Sequence, residues 1–354
     1  SGSHVVAISA MIVVLWLGGG LGYLAAIVLL EQLGADILRV ILSFRICPGL
    51  QVSPAMVRWR TIASLFAFGG KTVVPAFSRF LLYQATSILI MGYLGPAALA
   101  LFVRPRSLLQ HVHVLVMRMA LPLTPTVSSL YSMGDLPGIR DLMTRSIRYS
   151  FYLALPMITV LAVFGGPILG FWMGPDYAND LLPAILATGY LAQVANLPLL
   201  SVLEGMNAHG RAGASEFVAS LCALGLTVLF LGPLGLGLAS VAIALILPLA
   251  ILNVLYIPLM TCRRVGLPVR EYVLAVLCGP GIHLLPFAGC IAAARVIFRE
   301  YPFAGLALAG MVGSVILGTA YWRFAIPNGL REKVLNVLPK GRRAACGTTS
   351  DRRY

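Results

Sequence analysis

Residues 80–106 read FLLYQATSILIMGYLGPAALALFVRPR. The run from Phe80 to Val103 is uncharged and, at 24 residues, exceeds the roughly 20 apolar residues with which a helix crosses a bilayer. Gly95-Pro96 interrupts this run, and Arg104 and Arg106 follow it directly. Such runs predict membrane-spanning helices, whereas arginines beside them are costly in hydrocarbon unless they line a wet cavity.

The composition of the whole chain agrees with a membrane protein. Of its 354 residues, 59% are hydrophobic and 11% are charged, against roughly a quarter charged in a soluble domain. The six cysteines form no C-x-x-C pair and have no metal-ligand spacing with the five histidines, so we expect neither a metal site nor a cofactor. We interpret the cysteines as small packing residues.

Ten apolar stretches are predicted to be membrane spans, of which the first is short for a bilayer crossing. They cover residues 4–19, 21–46, 62–95, 97–131, 139–172, 178–206, 214–232, 236–261, 271–297 and 303–323. Residues 5–30 could instead form one uninterrupted helix, but we favour two spans because Gly18-Gly19-Gly20 breaks the apolar run. We therefore expect an all-α polytopic membrane protein with about ten transmembrane helices.

The basic residues outside these spans are distributed very unevenly. Alternate connections, together with the tail from Arg323, hold eighteen Lys and Arg residues, whereas the opposite turns hold one, Arg299. Positively charged connections remain on the cytoplasmic side of a membrane. We therefore expect both ends of this chain to be cytoplasmic, and we attribute the net charge of +14 to orientation rather than to nucleic-acid binding.

Seven basic residues fall within or beside the predicted spans: Arg39, Lys71, Arg79, Arg104, Arg106, Arg118 and Arg295. A cationic cavity inside a membrane suits an anionic substrate, and a phosphate carried on a lipid is the substrate that we favour. The chain shows no nucleophile-and-base arrangement, no P-loop and no zinc spacing. These patterns predict a transporter and not an enzyme.

The predicted helix over 97–131 carries two polar stripes. One stripe consists of Arg104, Ser107, His111 and Arg118. The other, roughly 200° around the helix, consists of Arg106, Gln110 and His113. One straight helix cannot direct both stripes into one cavity, and Pro105 is placed to bend the helix between the two arginines.

Two interpretations of Arg104 and Arg106 remain open. In the first, which we favour, the chain turns at Gly95-Pro96 and the arginines of the next helix line a cavity. In the second, residues 80–103 form one span and the arginines flank it at the membrane interface. The second interpretation places two arginines on the side of the membrane that otherwise holds only Arg299.

The candidate substrate-binding residues are Arg79, Arg104, Arg106, His111 and Arg118. Glu31 has no obvious partner on its own helix and is the candidate for ion coupling, whereas Asp36 and Arg39 are spaced to neutralise each other. A further charged group, consisting of Glu204, Arg211 and Glu216, brackets a predicted inner turn. We interpret that group as a surface ion-pair cluster.

Several turns and helix openings between Ile62 and Met260 resemble those of a known family. They are Phe68 to Pro96, ending MGYLGP; Pro122 to Asp135, ending SLYSMGD; Pro167 to Tyr177, PILGFWMGPDY; and Gly235 to Ala242, GLGLASVA. This region resembles the second six-helix lobe of the polysaccharide repeat-unit flippases of the O-antigen type, in the multidrug/oligosaccharidyl-lipid/polysaccharide (MOP) exporter superfamily. The shared features are turns and hydrophobic patterns rather than catalytic motifs.

The resemblance implies a MATE-like helical bundle. It divides the chain into residues 1–61, with two transmembrane helices from the end of a first lobe and a cytoplasmic connection; 62–262, the six-helix second lobe; 263–325, two additional transmembrane helices; and 326–354, a basic cytoplasmic tail. Counted against the family, the first four helices are missing, so we expect an N-terminally truncated chain.

The resemblance also implies a function. Two lobes would rock about a central cavity, accept an undecaprenyl-diphosphate-linked oligosaccharide at the inner leaflet of the cytoplasmic membrane, and release it outward. The arginines would bind the diphosphate, whose oxygens match the guanidinium fork. The expected partners are this lipid-linked substrate, membrane lipids, and a polysaccharide polymerase with its export machinery.

Three alternatives stay open at this point. A peptidoglycan-precursor flippase would share the diphosphate chemistry. A MATE-type drug or cation antiporter would require acidic residues in the cavity of the second lobe, whereas Glu204 and Glu216 lie at predicted span ends. A membrane glycosyltransferase or ligase is disfavoured because such enzymes use a sizeable extramembrane loop, and all predicted connections here are short.

Overall fold

The computed structural model describes residues 2–47, 49, 58–274, 279–325 and 331. Within these ranges the chain is almost entirely helical and contains no strand, which confirms the all-α prediction. Seven helices in the described part are long and apolar enough to cross a membrane, and Val5–Trp16 is a shorter apolar helix. The predicted connection at 48–57, except Gly49, and the predicted tail from 326, except Arg331, lie outside the described residues.

The chain forms two compact units, residues 1–67 and 68–354. The first unit holds α1, Gly2–Trp16, and α2, Leu21–Ile46. Gly18 joins them with a φ of 76°, a left-handed conformation that favours glycine. The break predicted from the glycine triplet is therefore present, and both helices match their predicted spans closely.

The longest helix, α3, extends from Trp59 to Ala120 and is broken at Gly95, where φ is 86° and ψ is 173°. Pro96 follows immediately, so the chain loses its helical geometry at the dipeptide that the sequence indicated. The helix continues without a break through Pro105. It ends at Ala120, and a short helix, α4, Leu123–Ser132, follows Pro122, so the span predicted over 97–131 is divided in two.

The remaining helices of the second unit are α5, Leu136–Met173; α6, Leu181–Gly205; α7, Gly210–Leu231; α8, Leu238–Ile251; α9, Ile257–Val265; α10, Val269–Glu271; α11, Gly279–Ile297; and α12, Pro302–Ala320. A π-helical turn, Leu252–Tyr256, joins α8 to α9, and another, Tyr321–Ala325, follows α12. Asp135 caps α5, because its Oδ1 accepts a hydrogen bond from the backbone N–H of Gly138 at 2.8 Å.

The central core of the second unit consists of apolar side chains from α3, α5, α6, α7 and α8. Ile90, Phe102, Leu186 and Val241 belong to its central cluster. Many apolar side chains also lie on the outer surfaces of these helices, as expected where lipid faces them, so the core is distinguished by its close packing. The cavities described below lie between these same helices.

Close packing of α12 against α11 depends on small residues. Gly305 is buried, and a Cβ at this position would lie 2.7 Å from Phe298 Cβ and 3.1 Å from the carbonyl oxygen of Ala294. Gly310, on the same helix, has open space around the corresponding position. This contrast confirms the small-residue packing that helix association in membranes favours.

We expect Gly305→Ala to destabilise the protein by about 1–3 kcal/mol, because the added methyl group overpacks the α11–α12 contact. The matched variant Gly310→Ala should be neutral or slightly stabilising, since alanine is the better helix former. Thermal unfolding in detergent checks both. Equal midpoints for the two variants would contradict this account of the contact.

Candidate functional site

A cavity of about 210 Å³ lies between α3, α6, α7 and the π turn after α8. Apolar side chains form much of its wall. Its polar lining comprises Arg79 and His113 from α3, Gln193, Ser201 and Glu204 from α6, Glu216 from α7, and Asn253 from the π turn. A cavity with this many charged groups inside a membrane-spanning bundle is the default candidate for a transport site.

An ion pair joins two walls of this cavity. Arg79 Nη1 lies 3.2 Å from Glu216 Oε1 and 3.4 Å from Oε2. The Arg79 side chain is 45% exposed, whereas that of Glu216 is 16% exposed. Nearby, the rings of Phe77 and Phe217 lie 6.4 Å apart between the same two helices. The arginine therefore faces open space, while its carboxylate partner is half-buried.

A second polar cluster adjoins the first. Tyr83 and Tyr190 both donate hydrogen bonds to Gln110 Oε1, at 3.3 Å and 3.1 Å. The guanidinium carbon of Arg106 lies 3.6 Å from the centre of the Tyr83 ring, within the range of a cation–π interaction. Tyr83, Arg106 and Tyr190 line a smaller cavity of about 60 Å³, which shares Gln193 and Leu249 with the larger one.

The two polar stripes of α3 face different surroundings. Arg106, Gln110 and His113 make the contacts inside the bundle that are described above. Arg104, His111 and Arg118 are exposed, and the last two border an open groove of about 410 Å³ that also touches Ser107 and Gln110. His111 Nδ1 lies 2.7 Å from the carbonyl oxygen of Ser107.

The structure thus separates the predicted substrate-binding residues. It places Arg79 and Arg106 at adjoining cavities. It leaves Arg104, His111 and Arg118 on another surface of α3, because the helix runs on through Pro105 and does not redirect the outer stripe. A role for these three in substrate binding stays a prediction.

Other charged residues of the sequence prediction have local partners. Arg39 pairs with Asp36 on α2, as predicted, at 2.5 Å, and Arg295 on α11 pairs with Asp180 at 2.8 Å. Glu31 is partly buried on α2 in the first unit, and its role in ion coupling stays a prediction. The side chain of Lys71 lies outside the described residues.

The interpretation of Glu204, Arg211 and Glu216 as a surface cluster was wrong for Glu216, which is half-buried and pairs with Arg79, whereas Glu204 and Arg211 are exposed. Glu204 and Glu216 both line the larger cavity, and Arg211 is exposed near the start of α7. Glu216 lies in the second turn of α7, where it faces α3 instead of the helix end. The available sequence signal was that Glu216 is the sole acidic residue of that apolar helix.

Metal binding has no support in the described ranges of the chain. No three His, Cys, Asp or Glu side chains there lie close enough to hold a metal ion. The functional groups of the cavities are guanidinium, carboxylate, imidazole, amide and phenol. These groups suit reversible binding of a charged and hydroxylated ligand.

A sequence model of a family described as polysaccharide biosynthesis protein matches residues 2–180. The chain belongs to this family. The match confirms that the chain belongs with polysaccharide biosynthesis proteins, as the resemblance of the turn motifs indicated. It covers α1 to α5, and thereby includes Arg79, Arg106 and His113.

One curated relative of the chain is an uncharacterized membrane protein, EpsK, of Bacillus subtilis (strain 168). The two are 25% identical over 246 residues, which are 67% of this chain and 48% of EpsK. The chain therefore spans about half the length of this relative.

Two solved structures are similar to the chain at 17% identity. One is a multidrug resistance MATE family transporter of the MOP superfamily in an outward-facing conformation, with a TM-score of 0.48 over 71% of this chain and 62% of that one. The other is a MOP superfamily transporter from Pyrococcus furiosus Vc1, whose binding pocket is described as reversed in polarity, with a TM-score of 0.46 over 71% and 61%. Both likenesses are weak, and family membership rests on the sequence match.

We expect a double-mutant cycle of Arg79→Gln and Glu216→Gln to give a coupling energy of about 1 kcal/mol, because the carboxylate is half-buried while the arginine remains partly solvated. Equilibrium unfolding in mixed micelles measures it. The exposed pair Arg145 and Asp141 on α5, at 2.7 Å, is the matched control and should couple by only about 0.3–0.5 kcal/mol. Equal coupling energies in the two cycles would show that the burial of Glu216 does not strengthen its ion pair with Arg79.

Proposed function

We propose that this protein is a flippase that moves an undecaprenyl-diphosphate-linked oligosaccharide across the cytoplasmic membrane by alternating access. The observation that carries the proposal is the position of Arg79 and Arg106 at adjoining cavities inside a membrane-spanning bundle. Membership of the polysaccharide biosynthesis family supports a substrate of this class. The activity is one of transport, without chemical change to the substrate.

The chemistry of the two cavities fits the two polar parts of such a substrate. Arg79 and Arg106 offer guanidinium forks to phosphate oxygens. The Tyr83 ring covers one face of the Arg106 guanidinium and leaves the N–H groups at the edge of that guanidinium available for hydrogen bonds. Tyr83, Gln110 and Tyr190 provide the hydroxyl and amide groups that a glycan requires.

The lipid part of the substrate needs no cavity of its own. A polyprenyl chain is as apolar as the surrounding bilayer, so it remains in the membrane while the headgroup crosses. Two dispersed arginines also suit transport better than one deep anion trap, since a transported ligand must be released. The substrate, membrane lipids, and a polysaccharide polymerase with its export machinery are the partners in this proposal.

The orientation of the protein belongs to the same proposal. The excess of Lys and Arg in alternate connections and in the tail supports cytoplasmic positions for both ends of this chain. The substrate would then enter from the leaflet on the side of these basic connections.

A drug or cation antiporter is the second candidate. The observation that favours it is the presence of Glu204 and Glu216 in the larger cavity, where acidic groups would bind a cation. Arg79 neutralises one of the two carboxylates, so the cavity is less acidic than such a transporter requires.

Translocation by the protein encoded by the complete gene, reconstituted in proteoliposomes, separates the two candidates. We expect movement of a diphosphate-linked oligosaccharyl lipid and no movement of a cationic dye. Movement of the dye alone would establish the antiporter and contradict the flippase.

Substitution of the arginines tests which of them bind the diphosphate. Arg79→Gln and Arg106→Gln should each slow lipid flipping about tenfold, because each loses a charge-assisted hydrogen bond to phosphate. Arg145→Gln on the exposed surface of α5 is the control and should leave flipping unchanged. Full flipping by both cavity variants would contradict the role of the two cavities.

A further inference from the structure

We propose that Glu216 is the proton-binding site of this transporter, and that it competes with the substrate phosphate for Arg79. This inference rests on the proposed function, since it requires an anionic substrate that reaches Arg79. The residue that couples transport to protons would then be Glu216 on α7, in the second unit, instead of Glu31 on α2.

The two side chains of the ion pair differ in their exposure to solvent. Glu216 is 16% exposed and Arg79 is 45% exposed, so an incoming anion reaches the arginine more readily than it reaches the half-buried carboxylate. A phosphate carries the same sign of charge as Glu216 and matches the guanidinium fork equally well. The two anions therefore compete for one cation.

When Arg79 turns to the phosphate, Glu216 keeps the other charged groups of the cavity around it. From α3, Arg79 and His113 line the cavity; from α6, Glu204 lines it, and its Oε2 accepts a hydrogen bond from Thr124 at 3.5 Å. On α7 itself, Arg211 is exposed, five residues before Glu216. The helix α8 and the π turn after it contain no charged residue, so Arg79 supplies the cation that the structure sets against Glu216.

Binding of phosphate to Arg79 changes the protonation of Glu216. When phosphate takes the guanidinium, Glu216 is left as a half-buried carboxylate near the bound anion, in a cavity that Glu204 also lines. Both burial and like charge favour the neutral form of a carboxyl group. Glu216 therefore takes one proton from the aqueous phase, and an O–H bond replaces the ion pair. Release of the phosphate returns Arg79 to Glu216 and expels the proton.

Transport would therefore use a fixed ratio of protons to substrate molecules. Each diphosphate that binds at Arg79 carries one proton with it, and a proton gradient acts directly on substrate occupancy. The same exchange prevents Arg79 from holding phosphate too tightly, because the neighbouring carboxylate is ready to displace it.

Proton uptake on ligand binding tests the proposal directly. The probe is farnesyl diphosphate esterified to N-acetylglucosamine, a diester with no group that titrates near neutral pH. Calorimetry of the purified full-length protein in buffers of different ionisation enthalpy reports the protons taken up per probe bound. We expect about one proton for the wild-type protein.

The variant Glu216→Gln should bind the probe without proton uptake and about tenfold more tightly at neutral pH, because the competing charge is gone. The matched control Asp141→Asn removes the carboxylate of the exposed α5 pair and should keep the wild-type affinity and proton uptake. Both variants keep the shape of the side chain, and their thermal unfolding verifies that each is folded.

The outcomes separate the two proposals. Probe binding with unchanged affinity and proton uptake in Glu216→Gln would overturn this inference and leave the flippase intact. The inference would also be overturned if Glu31→Gln or His113→Gln lost proton uptake while Glu216→Gln kept it. Probe binding that requires sodium ions and takes up no proton would overturn it as well. Failure of the wild-type protein and of Glu216→Gln to bind the probe would overturn both proposals.

Discussion

The cost of a charge in hydrocarbon determines how this protein is arranged. A guanidinium or carboxylate inside a membrane must face water, a partner of opposite charge or another polar group. Three of the described arginines satisfy this condition in different ways. Arg295 pairs with Asp180, Arg106 lies over the Tyr83 ring, and Arg79 pairs with Glu216 across a cavity. The last two arrangements lie at the two polar cavities inside the bundle.

The fold is largely readable from sequence because the bilayer imposes a length and a polarity on every span. The predicted span 21–46 corresponds to α2, Leu21–Ile46, and Gly95-Pro96 marks the break in α3. The division at Leu121-Pro122 was missed, although the residue before proline is disfavoured in a helix. Hydropathy does not register such a break, because both sides of it are equally apolar.

The site was harder to derive from sequence for a physical reason. Helical periodicity shows which residues share a face, so Arg106, Gln110 and His113 were correctly grouped. It does not show which face meets another helix. Glu216 lies 137 residues from Arg79 along the chain, and only tertiary packing brings the two together. The pairing of Glu216 with Arg79 depends on α3 and α7 lying side by side.

The ion pair of Arg79 and Glu216 has an electrical consequence. A transporter that changes conformation moves its own charged groups through part of the membrane potential, and each elementary charge moved is worth about 2.3 kcal/mol per 100 mV. Two opposite charges held 3.2 Å apart travel as a dipole with no net charge. In the proposed transport cycle, a movement that shifts this pair without turning it would therefore do no net electrical work at this site.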